Sequence, residues 1–140
     1  MHKTQGGFSL LELMIAVAIA GIVVGFAISS YQSQVQDSRR AEAQAQLMDL
    51  ATSLEAWRSQ NFSYAGATVA GLSPDLAAST FYNVTLTLTN NNQAFELVAN
   101  PIGSMVGSGQ VRSDSQGRTC YNPASDSACD LANPALRWGK

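Results

Sequence analysis

From Phe8 to Ile28 the chain runs for 21 residues whose single charge is Glu12, and the next charge is Asp37. As a helix at roughly 1.5 Å per residue this stretch is about 31 Å long, and a bilayer's hydrocarbon core is about 30 Å thick. It is therefore expected to span a membrane. An ordinary secretory signal would be cut beyond its apolar core, and Ala18-Ile19-Ala20 has the small-residue form of such a site. The apolar run nevertheless continues to Ile28, and a glutamate early in a signal core is unfavourable, so the whole segment is read as a retained helix. Gly21 and Gly25 either form a small-residue packing face or reflect the general frequency of glycine in membrane helices.

Glu12 is the sharpest single residue. A carboxylate at the centre of a membrane helix costs about 2.5–3.5 kcal/mol on the insertion scale, so intramembrane ionisable residues are functional by default. The bland alternative is that Glu12, four residues after Phe8, reaches the headgroup layer and does nothing specific.

Beyond Ser29 the helical character persists but becomes one-sided. Ala43, Leu47, Leu50, Leu54 and Trp57 recur at alternating spacings of four and three, which places them on one stripe. No proline occurs from Met1 through Ser73, so one helix is expected from about Phe8 to Ser59. Residues 61–80 read as a connection broken by Gly66, Gly71 and Pro74, with Phe62 and Tyr64 expected to anchor it to the fold. Tyr82, Val84, Leu86 and Leu88 alternate with Asn83, Thr85, Thr87 and Thr89, the pattern of a strand with one buried face. Asn90-Asn91-Asn92 is expected to turn the chain into a returning strand, Ala94–Ala99, ended by Pro101. Gly103, Gly107 and Gly109 read as a flexible link to a third candidate around 110–112 and 118–121. A small antiparallel sheet of this kind buries its apolar face on the helical stripe, an α+β arrangement. The tail 122–140 has little periodicity.

Chemistry-bearing residues outside the N-terminal segment are sparse. Net charge is −2, too acidic to suggest a nucleic-acid surface by itself. Arg112 and Arg118 with Tyr121 make a thin candidate footprint for DNA. His2 is the single histidine, and neither a metal set nor a catalytic triad is suggested. Asp114, Asp126 and Asp130 could contribute to a calcium loop, but scattered loop aspartates are more often solvated turn residues, so no metal or cofactor is expected. Cys120 and Cys129 pair as a disulfide if this part lies outside the cytoplasm, and are two reduced thiols otherwise.

The string Gly6-Gly7-Phe8-Ser9-Leu10-Leu11-Glu12-Leu13 resembles the processing site of type IV prepilins, and the likeness extends to about Tyr31. The resemblance implies a leader at 1–7 that a membrane aspartic peptidase removes after Gly7, with methylation of the new N-terminus at Phe8. It implies that Glu12 registers the subunit against a neighbour's terminal amine during filament assembly. The implied organisation is the leader, a transmembrane and assembly helix at 8–28, its amphipathic continuation at 29–61, and a globular antiparallel-sheet domain at 62–140. Trp57 to Tyr64 is similar to the helix-to-loop passage of minor pilins, and Cys120 with Cys129 to the disulfide-bounded region of pilins. Charge does not settle orientation, because Lys3 and the initial amine nearly balance Arg39 and Arg40. The resemblance places the bulk of the chain in the periplasm, on a single-pass inner-membrane anchor, and then in a pilus at the cell surface.

The expected function is that of a structural subunit, a minor pilin of a type IV pilus. Its partners are other pilins, prepilin peptidase, the inner membrane and the assembly machinery. A type II secretion pseudopilin and a DNA-binding competence pilin are the alternatives; an enzyme is not expected. One departure is Ser29, which stands where many pilins carry proline; serine keeps its backbone N–H and does not impose the same kink.

Overall fold

The structure, a computed structural model, describes residues 8–138. The chain divides into two compact units, Met1–Asp37 and Ser38–Lys140. Gly7, His2 and Lys3 lie outside the described residues.

In the first unit the described residues lead into α1 (Leu10–Asn61), as the unbroken apolar and proline-free sequence requires. The helix continues through position 29, where serine preserves the hydrogen-bonding N–H that proline would remove. Glu12 sits in the first turn, where unpaired backbone N–H groups favour a carboxylate. Every side chain from Phe8 to Ile28 is exposed, Phe8 at 83% and Phe26 at 77%. The stretch is long and apolar enough to cross a membrane.

The second unit has its own core. Ala43, Leu47, Leu50 and Leu54 of α1 are buried, as their spacing requires. They meet a four-stranded antiparallel meander in the order β1-β2-β3-β4: β1 (Tyr82–Thr89), β2 (Ala94–Pro101), β3 (Gln110–Asp114) and β4 (Thr119–Asn122). The register pairs Val84 with Ala99, Ala99 with Val111 and Val111 with Tyr121, so one apolar row crosses the inner face. Phe95, Leu97, Ala99 and Val111 are buried there with the helical stripe.

Three details differ from the sequence expectation. The connection after α1 contains two short helices, α2 (Val69–Leu72) and α3 (Pro74–Ala77). Thr68 caps α2 by accepting the Gly71 N–H at 3.1 Å, and Pro74 supplies a preset first turn for α3. The third strand candidate is two strands, because Asp114 ties a turn at the middle of it. The expected flexible link is held: Met105 is buried in a 3-10 turn (Gly103–Met105).

Candidate functional site

Of the N-terminal residues that the sequence singles out, Phe8 and Glu12 fall among the described residues, and both are accessible within the chain. Phe8 lies just before α1 and Glu12 in its first turn, and both side chains are exposed. An exposed carboxylate on an apolar helix is available to a cation from another molecule.

Near the chain's other end Cys120 and Cys129 form the disulfide, with Cα atoms 5.9 Å apart and both residues buried. The loop they close lies over the outer face of β3 and β4. Gln110 N–H donates to the Ser125 carbonyl at 2.9 Å, and the Asn122 side-chain amide donates to the Ala128 carbonyl at 2.5 Å. The Trp138 indole N–H donates to the Cys120 carbonyl at 2.8 Å and fixes the tail.

The arginines here do not form a free cationic patch. Arg112 ion-pairs with Glu96 of β2 and donates to the Cys129 carbonyl at 2.7 Å. Arg118 donates through Nε to Asp114 at 2.7 Å. Tyr121 points to the opposite face of the sheet, since its neighbour across the register is inward-facing Val111 while Arg112 faces Cys120. Its hydroxyl donates to the Ser108 carbonyl at 3.0 Å, and Arg40 stacks over its ring at 4.3 Å. The expected footprint of Arg112, Arg118 and Tyr121 is therefore corrected: Arg112 and Arg118 lie on one side but are each paired with a carboxylate, and alternation along β4 puts Tyr121 on the opposite face.

The three aspartates considered for calcium are likewise engaged separately. Asp114 accepts the Gln116 and Arg118 N–H groups at 3.0 and 2.9 Å. Asp126 accepts Gly107 N–H at 2.5 Å and Gly109 N–H at 2.8 Å, which pins the β2–β3 connection to the disulfide loop. Asp130 accepts Ala132 N–H at 2.8 Å. Among the described residues no group of three or more His, Cys, Asp or Glu gathers.

The end of the unit where α1 finishes has a different character. Tyr64 is fully buried, edge-on to Phe95 at 5.0 Å between ring centroids. Its hydroxyl donates to Glu55 at 2.6 Å, and Arg58 lies over its ring at 5.4 Å. Burial first, then the Glu55 hydrogen bond, push its phenol above the usual tyrosine range. Tyr64 is thus the anchor that the sequence suggests.

Phe62 is not an anchor. It is 84% exposed, with φ +58°, the left-handed conformation that ends many helices. Its N–H donates to the Arg58 carbonyl at 2.7 Å, and its own carbonyl accepts the Gln93 side-chain amide at 3.0 Å. Asn90, Asn91 and Asn92 follow one another at φ +51°, +54° and +61° and are all exposed. Asparagine tolerates this region better than other residues with a Cβ, which is why this run makes the β1–β2 turn. The Asn92 carbonyl accepts Tyr64 N–H at 2.9 Å, which locks the two loops together. The sequence carries no signal for this: no glycine follows α1 until Gly66, and only roughly a third to a half of helices end in a left-handed residue.

The chain matches two protein-family models that together run from residue 2 to residue 122. Residues 2–28 match the prokaryotic N-terminal methylation motif. Residues 29–122 match the family described as type IV minor pilin ComP, DNA uptake sequence receptor. Among curated relatives, a type IV major fimbrial protein FimA of Dichelobacter nodosus is 50% identical over 42 residues, 30% of this chain and 26% of the relative. A fimbrial protein of the same organism matches to the same extent. A further FimA protein is 38% identical over 55 residues, 39% of this chain and 35% of the relative. The matches thus span between about a quarter and a third of those relatives' length.

Proposed function

This chain belongs to the type IV minor pilin family, and from that premise we propose that it is a pilus subunit that captures DNA at the cell surface. The observation that carries the reading is the end-to-end fit of an N-terminal methylation motif and a minor-pilin domain on one chain. The precursor is cut after Gly7 by prepilin peptidase, and Phe8 becomes the methylated terminus. The stretch 8–28 holds the subunit in the inner membrane as a single pass, with the compact unit in the periplasm. The same stretch then packs among the N-terminal helices of other pilins.

Glu12 supplies the directional step. A terminal ammonium and a carboxylate attract strongly in a low-dielectric helix bundle, and either one alone is costly there. A subunit that offers Glu12 to its neighbour's amine is drawn into one axial register. Glu12 acts here as a positioning residue for assembly.

The DNA-capture half of the reading is supported by the description of the matched family. It does not rest on Arg112 and Arg118, whose charge is already balanced by Glu96 and Asp114.

Mass spectrometry of filaments sheared from cells tests the assembly half. The expected product starts at N-methylated Phe8, and a bulky substitution at Gly7 leaves the full-length precursor in the membrane. A filament-borne chain that still carries residues 1–7 overturns the processing claim. Filter binding of the purified full chain to labelled duplex DNA tests the capture half, and no retention above a denatured control overturns it.

A further inference from the structure

Helices that end in the left-handed region usually place glycine or asparagine there. Residues with a larger side chain meet a steric penalty in that conformation. At the end of α1 the residue is Phe62, and the structure draws on its backbone alone: N–H to Arg58, carbonyl from Gln93. The ring is 84% exposed and contributes nothing to the buried core. The backbone bonds would be made as well by asparagine or glycine, so the bare aromatic ring at this strained position adds nothing to stability, and such outliers point toward function.

The surroundings of the ring narrow that function. Asn90, Asn91 and Asn92 form an exposed amide-bearing turn whose side chains have no hydrogen-bond partner among the described residues. Gln93 joins the turn to Phe62 through the 3.0 Å bond to its carbonyl. Arg58 and Glu55 flank the ring in one shallow cleft and balance each other in charge. The patch therefore offers a stacking surface and neutral hydrogen-bonding groups, with little to draw in phosphates.

We propose that Phe62 stacks on a base of captured duplex DNA, entering a base step from the minor groove while the Asn90–Asn92 amides contact the adjacent base edges. This rests on the DNA-capture reading above. The minor groove presents chiefly acceptors, the adenine N3 and thymine O2, with the guanine amino group as its one added donor. Carboxamides answer both kinds of group. Apolar side chains that enter there part neighbouring bases and bend the duplex. With no cation cluster at the patch, few counterions are released on binding, and affinity falls only shallowly with salt.

The test uses the full chain in detergent and a fluorescein-labelled duplex that it selects from a random-sequence pool. A second version of that duplex carries 2-aminopurine, whose emission rises when it is unstacked. The wild type is expected to raise that emission on binding. Phe62→Trp should do the same at similar affinity, while Phe62→Asn should bind about tenfold more weakly and leave emission unchanged. Phe62→Asn suits the left-handed backbone, so its melting temperature should be no lower than the wild type's. Wild-type-like affinity for Phe62→Asn, or unchanged emission on wild-type binding, overturns the proposal while leaving DNA capture standing. Failure of the wild type to retain any duplex overturns both.

Discussion

Gly109 lies so close to Asn122 that a Cβ built on it would stand 2.3 Å from the Asn122 carbonyl oxygen. Its φ of +95° is also one that residues with a side chain rarely adopt. Both constraints act where β3 begins, and where Asp126 of the disulfide loop accepts the Gly109 N–H. Clash and strain together make Gly109→Ala destabilising by about 2–4 kcal/mol. The expected readout is a clear drop in the melting temperature of the full chain in detergent. Gly107→Ala meets no atom within 4 Å and carries the strain of its φ alone, so it should cost less.

The Cys120–Cys129 bond closes a short loop, with a sequence separation of 9. Chain entropy alone assigns such a loop roughly 2.7 kcal/mol. Reduction, or a double substitution to serine, should lower the denaturant midpoint by a corresponding amount. It should also loosen the contacts made through the Cys129 carbonyl to Arg112 and the Cys120 carbonyl to Trp138. Hydrogen exchange at Gln110, whose N–H is bonded to Ser125 of the closed loop, should quicken on reduction while exchange in β1 stays slow. Equal quickening in both strands would contradict the local role assigned to the loop.

What the chain discloses before folding follows from where burial is one-sided. Ala43, Leu47, Leu50 and Leu54 face the sheet on one side of the helix, and β1 alternates between core and solvent, so both leave a period in the sequence. The strand β3 leaves none. Val111 and Ser113 are buried toward the core, while on the opposite face Gln110 lies under the disulfide loop and Asp114 is enclosed by the β3–β4 turn. Arg112 and Arg118 look like free cations in one dimension, since Glu96 reaches Arg112 from another strand and Asp114 reaches Arg118 around a turn. Phe62 reads as an anchor because aromatic residues after a helix commonly pack. Its left-handed backbone, fixed by Arg58 and Gln93, turns the ring outward instead.

The ion pair between Arg112 and Glu96 spans two neighbouring strands, with both side chains about a quarter exposed. Removing one partner leaves the other partly buried and uncompensated, which costs more than removing both. Arg112→Met should destabilise by about 1–3 kcal/mol, and adding Glu96→Gln should recover part of that loss. DNA affinity, measured by filter binding, should change by no more than about threefold in either variant, because this pair contributes no free charge for phosphates. A large loss confined to Arg112→Met, with melting unchanged, would return Arg112 to the DNA interface.

Tyr64 and Tyr82 both have phenols raised above the usual tyrosine range, burial being the main cause. In each case the unfolded chain releases its proton first as pH rises, so the native state holds more protons than the unfolded one in that window. Stability is therefore complete below about pH 10 and declines as pH climbs through the raised native values. A melting series across that range should show the fall. Tyr64→Phe should make it shallower and leave the Tyr82 part, at the cost of the 2.6 Å bond to Glu55 and hence some stability near neutrality.

Glu12 provides the assembly prediction. The side chain is exposed in the first turn of α1, and no bond among the described residues accounts for a carboxylate in so apolar a stretch. Glu12→Ala lowers the cost of membrane insertion and so should leave the membrane-bound pool intact or enlarged. The same change removes the counter-charge for a neighbour's terminal amine, and the amine alone in a helix bundle is destabilising. Incorporation into sheared filaments should fall severely, by about tenfold or more for a loss of about 1.4 kcal/mol in docking. Glu12→Gln keeps size and hydrogen bonding but loses charge, so it should fail nearly as badly as alanine. If Glu12→Gln enters filaments at the wild-type level, the carboxylate is not what positions the subunit, and shape alone sets its register.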